Sequence, residues 1–221
     1  MNEIFLDIET TGLSFKNGHR IVEIACIETK ELIPTKKIFH TLINPERNVP
    51  EEAFKIHGHS SEILKKKPKF IDIAEDLLSF LAEKNIIVHN APFDIPFINF
   101  ELEGIKKNKI NKNNIIDSLD IARGKYPGSS NSLDALCRRF GIDLSRRTKH
   151  NALLDCELLR EVYINLIDAK EPKLSLENLN DENRIINSKK FTYSTKIVSA
   201  TQDEITLHRN FLKNELKKNY Y

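Results

Sequence analysis

The sequence predicts a mixed α/β fold, a sheet flanked by helices. Three observations carry that prediction. Strand-like runs come first, at residues 3–8, 20–28 and about 36–43, joined by short connections. Helical and strand patterns then alternate to about residue 167. Hydrophobic residues make up 40% of the 221, enough for a core between layers.

The elements follow in order. Ile4-Phe5-Leu6 is an apolar run of strand type, and Thr10-Thr11-Gly12 reads as the turn that closes it. Residues 20–28 are rich in β-branched side chains and form the second strand. With the third, the short connections predict an antiparallel meander. Pro50-Glu51-Glu52-Ala53-Phe54 predicts a short helical turn before His57-Gly58. Over 70–83, Phe70, Ile73, Ala74, Leu77, Leu78 and Leu81 recur at helical spacing, an amphipathic helix. Ile86-Ile87-Val88-His89-Asn90 is a short strand buried on both faces. Residues 93–104 predict a helix, 115–117 a brief strand, 131–140 a helix stopped by Gly141, and 151–167 a longer helix.

Near residue 170 the character changes. Glu171-Pro172, several Asn and little periodicity mark 171–190 as a linker. Residues 190–200 read as extended. Thr201-Gln202-Asp203-Glu204 matches a capping box and starts a helix over about 202–217, with Ile205, His208, Phe211, Leu212 and Leu216 along one side. That helix docks on its own domain or on a partner; spacing leaves both open. The expected organisation is a main domain at 1–169, a linker at 170–189 and a C-terminal docking segment at 190–221.

Charge bounds the function classes. Lys and Arg total 34 against 32 Asp and Glu, a net charge of +2. Bulk positive charge is therefore excluded as a means of binding nucleic acid, and contacts must be local. Lys65-Lys66-Lys67-Pro68-Lys69 and the lysines from Lys106 to Lys112 are the candidate patches, each more in keeping with a solvated surface than with a dedicated groove. Cys26, Cys137 and Cys156 lack metal-ligand spacing and argue against disulfide stapling, as in a reducing interior. The N-terminus has no signal-peptide pattern, and no apolar run approaches ~18 residues. The expected location is the cytoplasm.

Three acidic sites and a histidine carry the chemistry. Asp7 and Glu9 sit two apart in a strand, so both project from one face, a platform for hard divalent cations. Asp94 follows the strand end at Asn90 and opens a helix, where a capping role and a ligand role are both open. Asp155 lies about a turn inside a helix capped by Asn151, while His150 sits in the loop before it. A loop histidine with a pKa near ~6.5 suits proton abstraction at neutral pH.

The order Asp-x-Glu, Asn-x-x-Phe-Asp, His-x-x-x-x-Asp resembles the histidine subclass of the DEDD exonucleases. Phe54-Lys55-Ile56-His57-Gly58, Asn131-Ser132-Leu133-Asp134-Ala135-Leu136-Cys137 and Arg147-Thr148-Lys149-His150-Asn151-Ala152-Leu153-Leu154-Asp155 resemble the epsilon, or proofreading, subunits of bacterial DNA polymerase III. The resemblance is strong over about 3–167 and weaker to about 217. It implies an RNase H-like mixed five-stranded sheet and a metal-dependent 3′→5′ exodeoxyribonuclease releasing 5′-mononucleotides. It implies two Mg²⁺ or Mn²⁺ ions held by Asp7, Glu9, Asp94 and Asp155, with His150 as the base. Asp7, Glu9, Glu52, His57, Asn90 and Asp155 would meet the terminal nucleotide, and Asp117 would support the site. The implied partners are DNA 3′ ends, a polymerase catalytic (alpha) subunit reached through the C-terminal segment, and possible theta-like and sliding-clamp contacts. The stretch Glu171-Pro172-Lys173-Leu174-Ser175-Leu176 has the leucines of a clamp motif without its Gln. A free-standing DEDD exonuclease and a non-cutting structural subunit are the alternatives; a stable homodimer would favour the first, and absence of hydrolysis the second.

Overall fold

A computed structural model describes residues 2–147, 149–169 and 199–214. Five strands form one mixed sheet: β1 (Asn2–Thr10), β2 (Ile21–Lys30), β3 (Ile33–Leu42), β4 (Asn85–Val88) and β5 (Ile115–Asp117), in the order β3-β2-β1-β4-β5. The first three pair antiparallel, whereas β4 and β5 pair parallel, β4 directly to β1. The meander is as the sequence predicts. The parallel half requires crossovers, which helices supply.

Alternation along β1 divides the core in two. Ile4, Leu6 and Ile8 face one layer, with Ile24, Cys26, Ile86 and Val88 beside them. That face is covered by α3 (Phe70–Leu81) and α4 (Ala91–Gly104), through Leu77, Phe97 and Ile98 among others. Phe5, Ala25, Ile27 and Ile87 face the other layer and pack on α7 (Ala152–Leu166), through Ala152, Cys156, Leu159 and Tyr163. The period of two in the strand and the i, i+4, i+7, i+11 stripe on the helix are thus the two halves of one interface.

The remaining elements serve the cleft. α1 (Glu51–His57) is longer than the single turn expected and ends where Gly58 adopts φ 77°, its N–H bonding the carbonyl of Phe54. Two α-helices are not announced by the sequence, α2 (Ser61–Leu64) and α5 (Ser118–Lys125), and α4 starts at Ala91 rather than at residue 93. α6 (Leu133–Phe140) stops at Gly141, and β4 ends at Val88 rather than at Asn90. Asn90 instead occupies the left-handed region, φ 82° and ψ 57°, as the residue that turns β4 into α4.

Contacts divide the chain into two units, Met1–Lys173 and Leu174–Tyr221. Within the second, α8 (Gln202–Asn214) starts at the capping box: Thr201 N–H donates to Glu204 Oε2 at 2.8 Å and Glu204 N–H donates to Thr201 Oγ1 at 3.3 Å. Its Leu207 and Phe211 are exposed. The expected linker at 170–189, the clamp-like stretch 171–176, most of the extended segment 190–200 and the helix end at 215–217 lie outside the described residues.

Candidate active site

The site begins with the same alternation that builds the core. Asp7 and Glu9 continue the Phe5 face of β1, beneath α7. Across the ladder, Phe5 pairs with Ile27, Asp7 with Ala25 and Glu9 with Glu23. As the strand runs to its end, the apolar face becomes an acidic one. On α7, Asn151 accepts the N–H of Leu154 at 3.0 Å and fixes where the helix starts. Asp155 then falls in its first turn, on the sheet-facing side next to Cys156, and is 2% exposed. Asp94 arrives in the first turn of α4 and is also buried.

Four carboxylates in one cleft are costly without a cation. Asp7 is pushed well above the usual carboxylate range by burial, then by Asp94, Asp155 and Glu9. Glu9 is raised to about 7, chiefly by burial, with His150 opposing. Asp94 is raised by burial, against hydrogen bonding to the backbone of Asp94 itself and of Ile8. Asp155 goes the other way: burial would raise it, but hydrogen bonds from Arg147 and His150 outweigh that. The protein's own cations therefore satisfy one carboxylate of the four. Single ligand atoms of Glu9, His150 and Asp155 lie within 4.8 Å of one another, close enough to share an ion. An oxygen-rich set carrying uncompensated negative charge fits a hard divalent cation.

His150 hangs over this cluster with its side chain 49% exposed. Its backbone N–H donates to Ile56 O at 3.1 Å, which ties the loop to α1. Nδ1 lies 3.5 Å from Asp155 Oδ2, 3.9 Å from Glu9 Oε1 and 2.9 Å from Arg147 Nη2. The nitrogen thus sits between an acceptor and a donor, and either ring tautomer finds a partner. The hydrogen bond to Asp155 raises the pKa of the imidazole, against burial.

A cleft of about 1270 Å³ opens over the cluster, and Glu52, His57 and Asn90 line it with the acidic residues. His57 is buried; its Nδ1 accepts the N–H of His59 at 3.0 Å and its Nε2 has no hydrogen-bond partner among the described residues. Burial, then His59, lowers its pKa to about 4, so the ring is neutral near pH 7. Asp117 caps α5 and also accepts the N–H groups of Asn90 and Ala91, each at 3.0 Å. It holds the left-handed turn from which Asp94 projects. Neither lysine patch lines the cleft, and Lys69, Lys107 and Lys109 pair with Glu46, Glu75 and Glu103.

The family model described as an exonuclease, of the RNase T type, matches residues 4–163. The chain is 44% identical to the DNA polymerase III subunit epsilon of Rickettsia conorii, across 100% of this chain and 99% of that protein. It is 46% identical to the Rickettsia prowazekii counterpart, over 96% of each. The chain belongs to the family of DNA polymerase III epsilon subunits. Solved structures share its fold at lower identity. The nuclease domain of 3′hExo, a DEDDh family member bound to rAMP, superposes with a TM-score of 0.66 at 14% identity, covering 76% of this chain and 92% of that one. Exonuclease X in complex with 5′ overhanging duplex DNA gives 0.59 at 22% identity, with the same coverage.

In this epsilon-family chain, several site neighbours had no role in the sequence reading. Arg147 makes a two-pronged pair with Asp155, Nε to Oδ1 at 2.6 Å and Nη2 to Oδ2 at 2.7 Å, and reaches Asp134 Oδ1 with Nη1 at 2.6 Å. These contacts raise its pKa further, the bond to Asp155 first. Glu23 is fully buried beside Glu9. The signal for Glu23 was present: a charged residue inside the apolar run Ile21-Val22-Glu23-Ile24-Ala25 has to find partners.

Proposed function

We propose that this chain is the 3′→5′ exonuclease that proofreads for a replicative DNA polymerase, and that Asp7, Glu9, Asp94, His150 and Asp155 carry its hydrolysis. The observation that carries this reading is the convergence of four buried or half-buried carboxylates and one exposed histidine at the end of β1, inside a chain of this family.

Asp7, Glu9, Asp94 and Asp155 would hold the metal. Bound there, two Mg²⁺ or Mn²⁺ ions supply charge stabilisation for the phosphate and for the departing 3′ oxygen. The chain's own residues do the rest. His150 stands at the cleft mouth, where it can swing toward water, and accepts the proton of the attacking water at Nε2 when Nδ1 carries its hydrogen toward Asp155. The carboxylate of Asp155 stabilises the imidazolium that results. His57, neutral and with Nδ1 already engaged, offers Nε2–H as a donor inside the cleft, suited to an oxygen of the terminal nucleotide. Glu52 and Asn90 contact the same nucleotide from the cleft wall. The products are 5′-mononucleotides.

The segment at 190–221 docks on the polymerase catalytic (alpha) subunit, with 170–189 as its linker from a catalytic domain at 1–169. The capped, amphipathic α8 with exposed Leu207 and Phe211 supports this. A theta-like subunit and a sliding clamp are further candidate partners, the latter with a motif that lacks Gln. Work in the cytoplasm, beside the chromosome, follows from that role, and no described helix is long and apolar enough to cross a membrane.

The test is hydrolysis of a 3′-labelled, mismatched primer–template with Mg²⁺ and with EDTA, beside Asp7→Ala and His150→Ala. Metal-dependent release of mononucleotides is expected, abolished in Asp7→Ala. His150→Ala should bind DNA normally and lose about 10²–10⁴-fold in turnover. Wild-type turnover in that variant would remove His150 from the role of base.

A further inference from the structure

We infer that Glu23 is a positioning residue: one buried carboxylate that sets the placement of both His57 and His150. The inference rests on the roles proposed for those two histidines.

The geometry is specific. Glu23 lies on β2 directly opposite Glu9 in the ladder, and its side chain has no exposed surface. Three side chains from three separate segments donate to it. His40 Nε2 on β3 reaches Oε1 at 2.7 Å. His59 Nε2, in the loop after α1, reaches Oε2 at 2.8 Å. Asn151 Nδ2, at the cap of α7, reaches Oε1 at 2.9 Å. A buried carboxylate needs such donors to stay ionised. Burial would raise Glu23, yet the bonds from His40 and His59 hold it down at about 2.

Two of the three tethered segments, the loop after α1 and the cap of α7, carry a residue of the site. The His59 ring stacks on His57 with centroids 5.0 Å apart, and His59 N–H donates to His57 Nδ1. That pair of contacts sets both the ring plane and the tautomer of His57. Asn151 directly follows His150. Its Oδ1 caps α7 through Leu154 N–H, and its Nδ2 ties that cap to Glu23. One carboxylate on the rigid central sheet thus fixes the α1 loop and the α7 cap relative to each other. None of these three side chains belongs to a residue proposed to touch metal or substrate. Second-sphere partners of this kind typically carry about a tenfold to hundredfold effect on activity.

The two arms are separable by substitution. Asn151→Ser keeps a cap oxygen for Leu154 N–H but loses the donor to Glu23. His59→Phe keeps a ring against His57 but loses the bond. Both are measured with Glu23→Gln, the triple variant and His150→Ala in steady-state hydrolysis of a single-stranded oligonucleotide in Mg²⁺, with rates normalised to folded protein by circular dichroism and melting temperature. His59→Phe should raise KM with kcat held within about twofold, and Asn151→Ser should lower kcat with KM held within about twofold. Glu23→Gln should lower kcat/KM by about tenfold to a hundredfold through both, and the triple variant should be no worse than Glu23→Gln alone. If the variants only lower the melting temperature, with kcat and KM unchanged per folded molecule, or if the losses multiply, Glu23 does not position the histidines. If His150→Ala is inactive while Glu23→Gln is kinetically normal, this inference alone fails. If His150→Ala keeps wild-type turnover, the underlying roles fail.

Discussion

Removing divalent metal should destabilise this protein more at high pH than at low pH, and by an amount the site itself sets. Glu9 is 8% exposed, and its pKa rises from 4.5 to about 7. That displacement corresponds to about 3 kcal/mol between its two protonation states. The sign follows from linkage. An unfolded Glu ionises near 4.5, so below that pH both states hold the proton and there is no penalty. Above about 7 both states are ionised, and the folded state bears the full penalty. Asp7 and Asp94 are raised as well and act in the same sense. His57, held down at about 4, pulls the opposite way between that pH and 6.5, because its unfolded form gains a proton there that the folded form refuses. The difference between melting in excess Mg²⁺ and in EDTA, taken at each pH, cancels that contribution. From pH 5 to pH 8 this difference should grow by about 3 kcal/mol from Glu9 alone, or about 6–12 °C for a domain of this size. Scanning calorimetry or fluorimetry in matched buffers measures it. An increment that is equal at both pH values, or that survives in Asp7→Asn, would refute an electrostatically strained metal site. Asp7→Asn should instead melt higher than wild type in EDTA and respond little to Mg²⁺, since it removes one of the mutually repelling charges.

Three further outcomes test the supports. Arg147→Met should cost about 3–5 kcal/mol in EDTA, because it strands the buried Asp155 without its guanidinium, and less in Mg²⁺; urea melts with and without metal decide it. Asp117→Asn should cost about 1 kcal/mol and slow hydrolysis, since the carboxylate caps α5 and accepts two N–H groups at the turn before Asp94; a normal rate would mean that α4 holds its start unaided. Ending the chain at residue 173 should leave hydrolysis of single-stranded DNA near wild type and abolish binding to the polymerase catalytic subunit, measured by titration; retained binding would place the dock elsewhere.

What was legible in the sequence was local. The alternation of Ile4, Phe5 and Leu6 predicts which face Asp7 and Glu9 share, because strand geometry leaves no choice. Asn151 announces the start of α7 by its cap chemistry, and hence the depth of Asp155. What was not legible depended on contacts across the fold. α5 was hidden because only Ser118 and Ala122 of its eight residues are buried, too little for a periodic signal. The left-handed turn at Asn90 suits an Asn, but it is held by Asp117, twenty-seven residues away, a partner that the local sequence does not announce. Arg147 reads as one more basic residue in a loop until the fold brings Asp134 and Asp155 to it. Glu23 looks like an interruption in an apolar strand until the register puts it opposite Glu9.

The placement of these groups on rigid or movable backbone follows their work. Asp7 and Glu9 stand on the central strand, and Asp155 and Asp94 in first helical turns, where backbone bonds on all sides keep the donor set fixed. A fixed set can bear repulsion without spreading apart, and that repulsion is what a divalent ion would relieve on binding. His150 alone is on a loop, half exposed, which suits the proposed role of taking up and releasing a proton each turnover. A loop residue lacks the precision of a strand, however, so its freedom has to be bounded from both sides. Ile56 O bounds it before the cap and the Glu23–Asn151 bond bounds it after. The same Glu23 bounds His57 through His59. In this arrangement, Asp7 and Glu9 of the acidic cluster and, through Glu23, the two histidines proposed to act on water and on the nucleotide are registered to the same two strands, β1 and β2. A small slip in that ladder would misplace both at once, because Glu9 and Glu23 face each other across it.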